Sequence, residues 1–328
     1  MIYSKFIPSS LNLIQTLEIP KNIHKRIRTQ VRQFIFQGTV RRIKDNTLIQ
    51  PKLQGGINLQ DISIRATTYK IQYLHDIIQN PHHNPIATYY LAMTLRRHGL
   101  TWNNNQPHYA RLPLPGYFNT LRQTAMDYSE QLASHTNSKL TYRAIVHNIQ
   151  PLITLKNARI QKAIAQDNLD LQTSFTNLHQ KFITPTQRHI TYRILYSITP
   201  TTIGQFLRTN RIYPCTICND KQETEEHIFF TCTKITLAKN LLIRTLVSRQ
   251  NNISANYAEN TYRAIFLNQL PTLDRKQHDR QLQIVAAYRQ TIWHIRLDTR
   301  FNKKKFTQEA IKTKFKYWID KITNLETQ

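Results

Sequence analysis

The three cysteines of this chain fall within eighteen residues, as Cys215-Thr-Ile-Cys218, then eight residues to His227 and four more to Cys232. This C-x2-C-x8-H-x4-C spacing is what a tetrahedral metal site requires. Two thiolates from one tight turn supply one edge of the tetrahedron, and a His and a Cys from the following turn supply the other. Three cysteines cannot all pair in disulfides, and the N-terminus has no signal-peptide pattern. A redox CxxC leaves the His and the third Cys unexplained. The reading is one structural zinc on Cys215, Cys218, His227 and Cys232. Four protein ligands leave no open position for water or substrate, which a catalytic zinc keeps.

The surrounding chain must carry a large positive charge. Its 45 Lys and Arg against 19 Asp and Glu give +26 over 328 residues. Hydrophobic residues make up 40% of it, enough apolar surface to fold, so the charge is not that of a disordered tail. A folded body that basic works against its own repulsion, and a polyanion relieves it. Nucleic acid is the favoured partner. A membrane surface is the rival, but no apolar run approaches a bilayer span and no lipidation signal stands out. The expected compartment is reducing, cytoplasmic or nuclear, and not secreted.

Only six glycines occur, strand-like alternation is scarce, and apolar residues recur at helical spacing. The fold class read from this is mainly α. Helical segments are expected over 1–100, a helical linker region over 101–180, a small zinc-stapled domain over 181–250, and C-terminal helices over 251–328. Pro20 opens a helix on which Ile23, Ile27, Val31 and Phe34 form an apolar stripe. Lys21, Lys25, Arg28 and Arg32 lie opposite, so one face can enter a core while the other meets phosphates or simply water. Arg41 and Arg42 follow. Gly55 and Gly56 are adjacent in a glycine-poor chain, which points to a positive φ or a close approach, and a plain tight turn fits better than a ligand contact. Helices are expected near 62–78, 186–197, 201–209, 233–250, 257–268, 275–297 and 306–324. The Pro-rich and Asn-rich stretch 101–116 reads as a linker. The adjacent His82 and His83 lack a local carboxylate or cysteine and read as a loop. The last helix carries Ile311, Phe315, Trp318 and Ile322 on one stripe. The run Lys303, Lys304, Lys305 can touch phosphates, serve as a nuclear address or stand solvated.

Glu223, Glu225 and Glu226 precede His227, acids at the positive end of a short helix and beside the cation. Phe229 and Phe230 lie between the last two ligands and are expected to form the small core that the metal staples.

The run Tyr192-Arg-Ile-Leu, Ile198-Thr-Pro-Thr, Cys215-x2-Cys218, Glu223-Thr-Glu-Glu-His227-Ile-Phe-Phe and Cys232 resembles the zinc-binding domain that follows the polymerase in non-LTR (LINE-type) retrotransposon reverse transcriptases. Upstream, Ile19-Pro20, Phe34-Ile-Phe36-x-Gly38 and Pro51-x3-Gly55-Gly56-Ile-Asn-Leu59 with Asp61 are similar to that family's segment after the palm, at the thumb. The family usually has Trp where Phe36 stands. Trp293 and Arg296 are similar to its C-terminal end. The resemblance implies a thumb-like first segment and a part in holding retroelement RNA or target DNA beside a full-length reverse transcriptase. The polymerase's paired aspartates have no counterpart, since no two Asp are adjacent. The chain is therefore read as an accessory, C-terminal portion without catalysis of its own, or as an inactive remnant. A third reading is the restriction-like endonuclease some relatives carry, built here from Asp274, Asp279, Asp298 and Glu309. The nucleic-acid contacts expected are Lys21, Lys25, Arg28, Arg32, Arg41, Arg42 and Lys303 to Lys305.

Overall fold

The structure is a computed structural model that describes residues 20–36, 43–96, 116–129, 137–148, 171–201, 214–220, 222–247, 257–271 and 274–324. It is mainly helical, and among the described residues the only β pairing is an isolated antiparallel bridge between Pro214 and Gln222. No described helix is long and apolar enough to cross a membrane. The chain forms two compact units, one of residues 1–50 and 57–152, the other of residues 51–56 and 153–328.

The first unit holds α1 (Lys21–Phe36), the short α2 (Asp45–Ile49), α3 (Ile62–Gln79), α4 (Pro85–Arg96), α5 (Gly116–Asp127) and α6 (Ser138–Asn148). Helix α3 organises it. Ile64, Thr68, Ile71, Leu74 and Ile77 recur at steps of three and four and are all buried. One end of this stripe packs with Ile49, Ile145 and Val146, the other with Ala87, Leu91, Leu121 and Ala125. Asp61 caps α3 by accepting from the Ser63 and Ile64 amides at 2.8 and 3.2 Å.

Here α1 follows its hydrophobic spacing only in part, with Ile27 and Val31 half-buried. Phe34 is 77% exposed and Ile23 36%, whereas Arg28 and Arg32 turn toward the unit. Arg28 binds Asp61 at 2.9 Å and Ser63 at 2.9 Å, Arg32 pairs with Asp45, and His24 Nδ1 meets Ser63 Oγ at 2.7 Å. Hydrophobic periodicity is blind to those two carboxylates. Asp61 is nearly buried, and leaving it unpaired there is the costlier choice.

The second unit holds α7 (Leu171–Leu178), α8 (Pro185–Leu195), α9 (Thr236–Val247), α10 (Tyr257–Leu267), α11 (Arg275–Asn302) and α12 (Gln308–Asn324). Thr184 and Gln187 form a reciprocal capping box ahead of α8, with Pro185 in the first turn. The anticipated helix near 201–209 and the linker at 101–116 lie outside the described residues except for Thr201 and Gly116, and the pair Arg41, Arg42 lies outside them altogether. Helix α11 is the spine. Its buried run from Gln281 to Arg296 packs with α8, α9, α10 and α12 in one core, which also contains Cys215, Ile228, Phe229 and Cys232. The segment from Cys215 to Cys232 and the C-terminal helices thus share a single hydrophobic interior. Ile311 and Phe315 of the last helix are fully buried in it, as their spacing predicts.

Two buried features lock this unit. Arg289 sits at the C-terminus of α10, donating to Ile265 O at 2.8 Å, to Ala264 O, to Thr191 Oγ1 at 3.0 Å and to Asn268 Oδ1 at 2.9 Å. A cation there faces the negative end of the helix dipole and satisfies its last carbonyls. Asn268 adopts a left-handed φ of 55° just past α10; its side-chain Nδ2 donates to Ser174 O at 3.0 Å, and its backbone carbonyl accepts from Asn177 Nδ2 at 2.9 Å. The second feature is Gly55, at φ 83° after the helical turn Lys52–Gln54. Its carbonyl accepts from both Tyr192 and Tyr196, and a Cβ there would stand 2.7 Å from the Phe175 ring. Positive φ and close approach both hold at this glycine, and the approach is to aromatic side chains.

Candidate metal centre

The loop that carries Cys215 and Cys218 closes on itself. The Pro214–Gln222 bridge ties its ends, the Asn219 amide donates to Cys215 O at 2.8 Å, and Asn219 takes the left-handed φ of 61° that ends such a turn. The Ile217 amide points at Cys215 Sγ, 3.4 Å away, a donor that stabilises a thiolate.

The other pair of ligands comes from one wide turn. Thr224 Oγ1 accepts from the His227 amide at 2.8 Å and starts a helical turn. The chain then widens: the Cys232 amide donates to His227 O at 2.8 Å, an i to i+5 bond across His227–Thr231. That extra residue per turn is the kind of single-turn bulge that recurs at functional sites. The turn ends at Cys232, so the carbonyls of its last residues have no partner within it. Tyr288 of α11 donates to Phe229 O at 2.9 Å and Lys239 of α9 to Phe230 O at 3.0 Å, which satisfies them.

These turns bring one donor atom each from Cys215, Cys218, His227 and Cys232 to within 4.8 Å of one another. Cys218 Sγ and His227 Nε2 are 3.2 Å apart. A tetrahedral zinc with sulfur at ~2.3 Å has edges of about 3.8 Å, so a cation at the centroid reaches all four with only slight contraction. Cys215, His227 and Cys232 are buried and Cys218 is half-buried. His227 Nδ1 lies 3.4 Å from Thr231 Oγ1, a partner that leaves Nε2 to face the sulfurs. The protons fit the same picture. A hydrogen bond from Cys232 holds the Cys215 thiol well below its usual range, and the same bond drives Cys232 up, so Cys215 is the sulfur that ionises more readily of the two. The residues present fit a metal ion.

The sequence ran short on what holds the ligands. Glu223 and Glu225 do not stand as loose charges beside a helix end. Glu223 is fully buried, accepting from the Thr216 amide at 3.1 Å and the Thr216 hydroxyl at 2.7 Å, inside the CxxC turn. Its other oxygen receives Arg296 of α11 through Nε at 3.1 Å and Nη2 at 2.6 Å. Burial alone would raise this carboxyl, but the Arg296 charge and the Thr216 bonds bring it below the usual range. Arg296 also donates to Pro200 O at 2.6 Å and stacks over Trp293 at 4.9 Å. Glu225 accepts from the Thr199 amide at 3.1 Å. The one sequence signal for this support was Arg296 itself, a cation among Ile292, Trp293 and Ile295 on a buried stripe. Phe229 is fully buried and Phe230 packs beside it, ringed by Tyr262 and Phe266, but in the core shared with the C-terminal helices rather than in a small core of their own.

The remaining residues singled out in the sequence are scattered. Lys21 and Lys25 are exposed, Arg28 and Arg32 are committed to Asp61 and Asp45, and Lys303, Lys304 and Lys305 are exposed beyond α11. Asp274 caps α11, Asp279 lies beside His278, Asp298 pairs with Lys314 and Glu309 with Lys312. Among the described residues, only Cys215, Cys218, His227 and Cys232 gather as a group able to hold a metal ion.

No known family model matches this sequence, and no curated protein does.

Proposed function

We propose that this chain is a basic nucleic-acid-binding module stapled by one structural zinc, akin to the C-terminal part of a LINE-type reverse transcriptase. The observation that carries the reading is the convergence of three sulfurs and an imidazole within 4.8 Å, largely sealed from solvent, in a chain of net charge +26. Three cysteines and a histidine suit zinc better than the oxygen-loving cations, and four protein donors leave no position for a reacting molecule. When bound, zinc supplies a cross-link, not chemistry. It joins the CxxC turn to the wide turn, and Glu223, Arg296 and Tyr288 carry that link into α11.

The net charge of +26 supports a polyanion as the partner. Phosphates release counterions as Lys and Arg neutralise them, and six to ten contacts make affinity fall about a thousandfold to a hundred-thousandfold between 50 and 200 mM salt. Of the cations singled out in the sequence, Lys21, Lys25 and Lys303 to Lys305 are the exposed ones among the described residues. The test is a salt titration of RNA and DNA oligonucleotides against the zinc-loaded chain. A steep negative slope of log affinity on log salt supports the module. A slope near zero, or no binding, favours an inactive remnant.

A further inference from the structure

We infer that the turn between α11 and α12 is a binding surface for single-stranded nucleic acid, with Phe301 as a base-stacking platform. The inference rests on the nucleic-acid reading above and goes beyond it by naming the strand form and the contact.

Three observations point there. The first is charge density. Residues 300–321 hold eight cations against two carboxylates, Glu309 and Asp320. Lys312 and Lys314 have partners in Glu309 and Asp298, whereas Lys303, Lys305 and Lys316 have no ion-pair partner among the described residues. The second is backbone. Lys303 ends α11 at a left-handed φ of 54°, its amide and that of Lys304 both returning to Asp298 O. A non-glycine residue rarely takes that conformation, and here it reverses the chain so that three consecutive lysines stand exposed at one corner. The third is the ring beside them. Phe301 is 70% exposed with the Arg300 guanidinium 5.6 Å from its centroid, and Tyr317 of α12 is 60% exposed.

An exposed phenyl among cations serves a ligand that is anionic and has flat faces to stack. Nucleic acid is both, but a duplex buries the faces of its bases. A single strand offers them, with stacking on an aromatic residue contributing about 1–3 kcal/mol per base. A purely phosphate-binding surface needs the lysines and has no use for the ring. An acidic protein partner would use the lysines likewise, without a preference for unpaired bases.

The experiment is anisotropy with a labelled single strand of about 16 nucleotides and its duplex, at several salt concentrations, on the full zinc-loaded chain. Metal content and helix signal are measured for each variant. Phe301→Ala is expected to weaken single-strand binding about five- to a hundredfold, to leave the salt slope unchanged and to abolish the preference over duplex. Replacing Lys303, Lys304 and Lys305 together by Ala should lower the slope by about two. If the wild type binds steeply with salt but these variants bind like it, the surface is wrong and the module reading stands. If Phe301→Ala is silent while the lysine variant weakens single strand and duplex equally, the stacking inference falls. If the wild type binds neither, the module reading fails and the inference with it.

Discussion

Arg296 and Glu223 meet at 2.6 Å with both side chains sealed from solvent. Seventy-three residues apart in sequence, they join the C-terminal third of α11 to the loop that carries Cys215 and Cys218, because Glu223 also holds the backbone and hydroxyl of Thr216. A buried pair of this kind is weak as a source of net stability but costly to break.

Arg296→Leu should therefore destabilise the second unit by about 3–5 kcal/mol, since it strands a buried carboxylate. Urea unfolding followed by helix signal measures this. Combining Glu223→Gln with Arg296→Met should recover much of the loss, because no uncompensated charge remains. A double variant as unstable as the single would mean that shape, not charge, governs the contact.

Gly55→Ala should destabilise by about 1–3 kcal/mol from the positive φ alone. A further loss comes from the new Cβ, which meets Tyr196 and Phe175 at 2.5 and 2.7 Å. Gly116→Ala is the contrast: nothing lies within 4 Å of a Cβ there, and its thermal midpoint should stay close to wild type. Equal effects at the two sites would remove the steric account of Gly55.

Burial, with Arg188 and Lys52 nearby, pushes the His179 imidazolium down from 6.5 to about 4. Its Nε2 is buried without a partner among the described residues. The unfolded chain binds this proton near pH 6.5 and the folded chain only near 4. The stability tied to His179 is thus fully present above 6.5 and lost as pH falls from 6.5 toward 4. His24, His189 and His294 shift the same way. Urea midpoints at pH 7 and pH 5 should differ less in His179→Gln than in wild type. An unchanged difference would show that His179 titrates freely in the fold.

Much of the candidate metal centre was legible in the sequence because its donor residues are local. Eighteen residues contain all four donors, and their chemistry admits few other uses. Gly55 was legible because glycine is so rare here. The helices were legible from period, α3 and α12 above all. What stayed hidden depends on partners distant in the chain. On α1, Asp61 and Asp45 draw Arg28 and Arg32 inward beside the half-buried Ile27 and Val31, whereas the apolar stripe alone predicts that Ile23 and Phe34 are covered too. Arg296, Glu223, Arg289 and Tyr288 are polar groups whose burial becomes sensible only once their hydrogen-bond partners, up to a hundred residues away, are in place. The wide turn at His227–Thr231 leaves no mark in composition.

The central claim is that Cys215, Cys218, His227 and Cys232 grip one zinc ion. X-ray absorption on the purified chain, with metal quantified, tests it most directly. The account predicts one zinc per chain, three sulfurs at ~2.3 Å and one nitrogen at ~2.0–2.1 Å, and loss of the metal in Cys218→Ser. A chain without zinc, a shell dominated by oxygen, or a Cys218→Ser variant with undiminished zinc and an unaltered sulfur count would contradict it.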